Sequence, residues 1–240
     1  GGGVYIEGMY NNGPPIKFVN CSISHNTIKG AYYTRGGGIH TEYGQTQFIN
    51  CIIAGNEAIG AYSDYNGNSM VKGGGIDYDI YNYSSDNPNY DSSIEPQLLI
   101  VNSTIADNVI TPYSLGNDNA GAGIARDGSD EDILMFNSIV YNNTITGGSN
   151  YGNMNMSTTG SAFGSNGAEI GYSIIQYATD ANIDGDEIQD VNPSFSGSND
   201  YSLSIASAAI GTGISEYEDV DAPVYDYNNS ARPNPAGSNP

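Results

Sequence analysis

Cations, tryptophan, cysteine and long apolar runs are all scarce in this sequence, and each shortage excludes something. Lys and Arg together number 6 against 27 Asp and Glu, for a formal net charge of −21. Nucleic-acid phosphates need cationic partners, so no nucleic-acid partner is expected. Electrostatic attachment to an anionic membrane surface fails for the same reason. No apolar stretch approaches the roughly 18–20 residues of a membrane-crossing helix, so direct membrane insertion is not expected either. No Ser/His/Asp pattern has a recognisable context, no Cys/His spacing suits zinc, and no loop suits phosphate. Trp is absent, whereas Gly numbers 32 and Tyr 20, and Asn and Ser are abundant. Such a composition makes turns and short strands rather than amphipathic helices.

What the sequence does contain is a repeat. Gly36-Gly37-Gly38-Ile39 is followed by Phe48-Ile49-Asn50-Cys51-Ile52-Ile53 and Asn56. The same signals stand in the same order at Gly1-Gly2-Gly3-Val4, Phe18-Val19-Asn20-Cys21-Ser22-Ile23 and Asn26. They return at Gly73-Gly74-Gly75-Ile76, Leu99-Ile100-Val101-Asn102-Ser103-Thr104-Ile105 and Asn108. A looser copy has Gly121-Ala122-Gly123-Ile124, Phe136-Asn137-Ser138-Ile139-Val140 and Asn143. The motifs hold while the intervals between them vary, as in a stack of units that accept insertions on one side.

The pattern predicts an all-β fold, a right-handed parallel β-helix of about four to five coils with long turn insertions. Residues 1–176 are expected to form the coils, and 177–240 an irregular closing or capping region of the same domain. Stacking would align Val4, Ile39, Ile76 and Ile124 as one aliphatic ladder, and Ile23, Ile53, Ile105 and Val140 as another. Asn suits the bends because it tolerates the left-handed region and bonds nearby backbone. Cys21 and Cys51 fall at equivalent places in consecutive repeats, where later copies have Ser103 and Ser138. Parallel neighbours seldom aim their Cβ atoms well for a disulfide, so a stack of small residues with free thiols is the expectation. The chain opens in mid-repeat on Gly1, which reads as a piece of a longer, exported protein.

The GGGI and N-S-T-I-x-x-N elements resemble those of bacterial surface β-helix proteins. The later chain is similar to the choice-of-anchor Q domain family: Ser138-Ile139-Val140-Tyr141-Asn142-Asn143, then Tyr172-Ser173-Ile174-Ile175-Gln176. Asn182-Ile183-Asp184, Asn192-Pro193-Ser194-Phe195, Asp200-Tyr201-Ser202-Leu203 and Ser207-Ala208-Ala209-Ile210-Gly211-Thr212-Gly213 follow in the family's order, and then Arg232-Pro233. Ala208 and Gly211 replace that family's usual Pro and Asp, and its D-x-G-A-x-E ending is missing. The resemblance implies a secreted or cell-surface protein whose anchoring domain lies elsewhere, and it implies no catalytic residues.

Some constellations bear on chemistry. Asp180, Asn182, Asp184 and Asp186 alternate before and after Gly185 like the first half of a calcium loop. Calcium is the one cofactor the pattern suggests. A solvated acidic turn is the competing account, since Val191 stands where an EF-hand has its bidentate Glu. The insertions at 60–72 and 77–97 are rich in tyrosine: Tyr62, Tyr65, Tyr78, Tyr81, Tyr83 and Tyr90. Such rings could stack on a surface glycan or another protein subunit, or simply cover the flank.

An enzyme must also be weighed. A lyase needs a base and a cation, from Lys17, Lys29, Arg35, Lys72, Arg126 or Arg232, but −21 repels polyuronates. An inverting hydrolase needs two carboxylates, for which Asp77 and Asp79 on one strand face are candidates. His40 occupies the position equivalent to Asp77 one repeat earlier, so a His/Asp cluster is conceivable. An exposed acidic strand face is the competing account. The reading that emerges is a non-catalytic stalk, adhesin or filament component, with a carbohydrate-active enzyme as the alternative.

Overall fold

The computed structural model describes residues 1–7, 14–30, 33–42, 45–62, 70–79, 97–113, 121–127, 132–146, 156–158, 168–179, 183 and 185–232. Among the described residues there is no α-helix, and every regular element is a strand of two to five residues. The strands sort by their place in the repeat. One sheet holds Val4–Glu7, Ile39–Glu42, Ile76–Asp79, Ile124–Asp127 and Met156–Thr158. A second holds Ile16–Val19, Thr46–Ile49, Gln97–Val101, Asp132–Phe136 and Ala168–Gly171. A third holds Ser22–Ser24, Ile52–Ala54, Thr104–Ala106, Ile139–Tyr141 and Ile174–Ile175. A fourth joins Thr27–Gly30, Glu57–Gly60, Val109–Thr111 and Thr144–Ile145, and a short fifth pairs Tyr33–Arg35 with Met70–Lys72.

All of these pairs are parallel, and each joins one copy of the repeat to the next. The chain visits the sheets in a fixed order and then re-enters the first one strand further on. A parallel pair demands such a long crossover, which here is the rest of the repeat.

The register aligns the predicted ladders. Val4, Ile39, Ile76 and Ile124 are partners in sequence, and Met156 extends the row. Ile23, Ile53, Ile105, Val140 and Ile175 form the second row. Both rows lie in the main apolar cluster, with Phe18 stacked on Phe48 at 5.1 Å. Fully burying one such isoleucine stabilises by about 2 kcal/mol, an upper figure because the unfolded chain is already partly collapsed.

Two polar ladders run inside the stack. Asn26, Asn56, Asn108 and Asn143 each hand an amide on to the next: Asn56 Nδ2 donates to Asn108 Oδ1 at 2.9 Å, and Asn108 Nδ2 to Asn143 Oδ1 at 2.9 Å. The Asn56 and Asn108 backbone N–H groups donate to the same oxygens at 3.0 Å. The other ladder runs through Cys51, Ser103, Ser138 and Ser173, each hydroxyl accepting from the preceding layer's backbone N–H. Cys21 and Cys51 are both free thiols, as the small-residue reading anticipates.

Bends fall at a third row. Asn20, Asn50, Asn102 and Asn137 have φ of 54°, 53°, 50° and 51°, the left-handed region that asparagine tolerates. His25 also sits at positive φ, a turn residue as expected. At Gly37 the constraint is crowding, since a Cβ there would stand 2.4 Å from the Gly74 carbonyl oxygen.

The closing region has two parts. Ile183 and Ile188 pack onto the main core, while Asp186 and Gln189 bridge Gly171 and Ile174 in parallel, continuing the stack by one short layer. Residues 192–232 then return along the outside as a strap with two small antiparallel hairpins, Phe195–Gly197 with Asp200–Leu203 and Glu216–Tyr217 with Val220–Asp221. The strap covers the outward apolar face of the second sheet, setting Ile214, Tyr217, Val220 and Ala222 against Leu99, Val101, Leu134 and Phe136. It is pinned by Tyr201 Oη donating to Asp107 Oδ2 at 2.8 Å, by a two-way pairing of the Asn137 carboxamide with the Ile214 backbone at 2.8 Å, and by Asn50 Nδ2 donating to Tyr225 O at 2.8 Å.

Candidate functional site

Strand alternation creates one concentrated polar cluster on the outward side of the first sheet. Val4, Ile39 and Ile76 are apolar partners, so the residues after them point the other way. Register places Tyr5, His40 and Asp77 on adjacent rungs, and Glu7, Glu42 and Asp79 two positions on. Tyr5 stacks on the His40 ring with centroids 5.4 Å apart. His40 Nε2 lies 2.7 Å from Glu42 Oε1, and Glu42 Oε2 accepts the Tyr5 hydroxyl at 2.9 Å. His40 Nδ1 lies 2.7 Å from Asp77 Oδ2, but neither Asp77 oxygen has a well-directed hydrogen bond. The short approach and the opposite charges together make the contact favourable to the imidazolium.

Basic residues arrive from the fifth sheet. Arg35 and Lys72 are register partners, stacked at adjacent layers, and Arg35 Nη1 pairs with Asp79 Oδ2. Lys72 is buried beside them. Burial opposes protonation of His40, yet Asp77 and Glu42 together outweigh it and hold the imidazole above its usual pKa. Burial likewise works against the charged form of Glu42, and His40, Tyr5 and Arg35 overcome it to hold that carboxyl below its usual range. The cluster is a set of mutually neutralised groups, sensitive to pH because one member is a histidine.

The acidic face is not exposed. Asp77 is 0% and Asp79 6% accessible, which overturns the expectation of a solvated acidic strand. Asp77 meets His40 on the neighbouring rung and Asp79 meets Arg35 from the fifth sheet, partners that the alternating pattern of a single strand does not reveal. The other basic candidates scatter. Lys17 and Lys29 are exposed, Arg126 is buried beside Tyr78 in the first sheet, and Arg232 lies on the strap.

The tyrosines part company. Tyr62 is 68% exposed. Tyr78 is 0% exposed and belongs to the main core, because it alternates with Asp77 and Asp79 on strand Ile76–Asp79. It is a packing residue, not a surface ring. Tyr65, Tyr81, Tyr83 and Tyr90 lie outside the described residues. So do Asp180, Asn182 and Asp184 of the suggested calcium loop. Asp186 is exposed; its backbone bridges Gly171 and its carboxylate accepts the Tyr217 hydroxyl at 3.1 Å. Among the described residues no group of three or more His, Cys, Asp or Glu is arranged to hold a metal.

Sequence reading missed two things here. Tyr5 and Glu42 carry no motif, and only register brings them to His40. The strap's footholds at Asn50 and Asn137 carry only the signature of bends, although a corner asparagine with its carboxamide facing outward is also a ready backbone clamp. No family model matches this chain, and no curated protein or solved structure matches it. The geometry must speak for itself.

Proposed function

We propose that the chain is a right-handed parallel β-helix of about four to five coils, serving as a non-catalytic stalk, adhesin or filament element of a secreted or cell-surface protein. The observation that supports this best is the continuity of the in-register ladders. The same Asn and Ser/Cys positions bond from layer to layer across four repeats, which resists shear between layers and suits a load-bearing rod. The resemblance to the choice-of-anchor Q family fits the same role. Contact with a surface glycan or another protein subunit falls to the turn insertions, with Tyr62 the exposed representative.

The alternative, a carbohydrate-active enzyme using Asp77 and Asp79, needs a carboxylate open to a sugar. Both are buried and held by His40 and Arg35. A screen of neutral and acidic polysaccharides, run with calcium and with chelator, tests the choice. Binding without release of shorter chains, or no response at all, is expected. Depolymerisation that disappears in the Asp77→Asn, Asp79→Asn double variant would establish the enzyme instead.

A further inference from the structure

Between the strap and the outward face of the third sheet lies a cleft of about 700 Å³. Its floor is Ile52, Thr104 and Ile139, and its walls are segments 199–203, 209–213 and 226–228 of the strap. Three of the corner asparagines, Asn50, Asn102 and Asn137, border it. They occupy equivalent positions in successive layers with nearly the same φ. The outer two already hold extended main chain: Asn137 gives and takes one hydrogen bond with Ile214, and Asn50 Nδ2 donates to Tyr225 O. The middle one does not. Both carboxamide atoms of Asn102 are enclosed and have no hydrogen-bond partner.

A second group in the cleft is only partly satisfied. Arg232 Nε is enclosed without a partner, and its Nη2 reaches only to Asn50 Oδ1 at 3.5 Å. Arg232 makes no ion pair within 4 Å among the described residues; Asp226 acts on it only from further off, in a protein where carboxylates outnumber cations more than fourfold. A native fold satisfies nearly all of its buried polar groups, so two short of partners bordering a single cleft call for a ligand.

We infer that this cleft accepts a segment of extended peptide main chain from a partner protein, with Asn102 pairing one backbone N–H and C=O and Arg232 donating to a neighbouring carbonyl. The neighbouring rungs show the chemistry in place: a corner carboxamide here recognises a peptide unit. The residue keeps part of its surface on the cleft, so rotation about its side-chain bonds presents the amide to the ligand. Asp200 and Asp226 border the same cleft and disfavour an acidic segment. The net charge of −21 similarly disfavours a second copy of this chain. The occupant is a neutral or basic strand with small side chains.

Two measurements test this, and neither depends on the polysaccharide screen. The first is thermal unfolding. Both variants share the cost of placing alanine at a positive φ, so Asn102→Ala is expected to melt several degrees above Asn137→Ala, which alone also loses a strap contact. Equal losses in the two would show that Asn102 is already partnered and would overturn the inference. The second uses fluorescently labelled ten-residue peptides of Ser, Thr, Gly and Asn, with and without lysines, alongside an acidic set and neutral oligosaccharides. Neutral or lysine-bearing peptides are expected to bind at least tenfold more weakly to Asn102→Ala, with Asn20→Ala, outside the cleft, unchanged. No peptide binding at millimolar concentration, binding indifferent to Asn102, or Asn102-dependent capture of oligosaccharides alone would each reject a peptide site.

Discussion

The single residues that matter most are polar and inside. Asn108 is 0% exposed, and its carboxamide serves the layer above and the layer below at once. Replacing it with alanine strands the buried Asn56 N–H and takes a second donor from the Ile53 carbonyl. A loss of about 2–4 kcal/mol is expected for Asn108→Ala, read from the denaturant midpoint; a loss under about 0.5 kcal/mol would mean the ladder is ornamental. Cys51 is 1% exposed, and burial pushes its thiol up to about 11. In native protein at pH 8, iodoacetamide should modify Cys21 well ahead of Cys51, with both reacting in denaturant. Mass spectrometry of the labelled peptides decides it.

At the scale of the element, the first sheet carries a pH-dependent clasp. His40 has a raised pKa in the folded state, so its contribution is full below the ordinary value of 6.5 and is lost as pH rises through the folded value. Glu42 has a lowered pKa, so its contribution is present above the ordinary 4.5 and is lost as pH falls through its folded value. Both act together between about pH 4.5 and 6.5. The gap in melting temperature between the parent and His40→Gln should be widest in that window and should narrow as pH rises through the folded value of His40. A gap that widens with rising pH would show that neutral imidazole packing, not charge, holds the sheet. The Gly-rich turn is another such element. Gly37→Ala drives a methyl group into the Gly74 carbonyl and should cost about 1–3 kcal/mol by forcing layers apart.

For the whole molecule, the decisive feature is that the return segment runs along the flank rather than only closing the end. It shields Leu99, Val101, Leu134 and Phe136, which otherwise form an outward apolar patch on a flat sheet. Tyr217 is its anchor, set against Gly171 so closely that a Cβ there would lie 2.7 Å from the ring. Removing residues 192–240 should therefore leave a stack that binds a hydrophobic dye and associates in concentration-dependent fashion by sedimentation. A truncated protein that stays monomeric and dye-negative would show that the strap is dispensable for solubility.

Sequence by itself determined the repeat, the parallel all-β stacking and the two aliphatic ladders. The reason is that a motif recurring in order allows one in-register solution that buries Ile39, Ile76 and their equivalents together. It also marked the bends, since the corner asparagines must adopt a conformation most residues avoid. It brought His40 and Asp77 to equivalent positions, which was enough to suspect their meeting. Only tertiary structure decided that Asp77 and Asp79 are buried, Asp77 against His40 of the neighbouring rung and Asp79 against Arg35, which reaches it from another sheet. Only tertiary structure turned Tyr78 inward, one place away from residues of the opposite face. And only the path of the strap separated Asn50 and Asn137, which hold backbone, from Asn102, which holds none. Those outcomes depend on contacts between segments far apart in the chain, and no local pattern encodes which distant segment arrives.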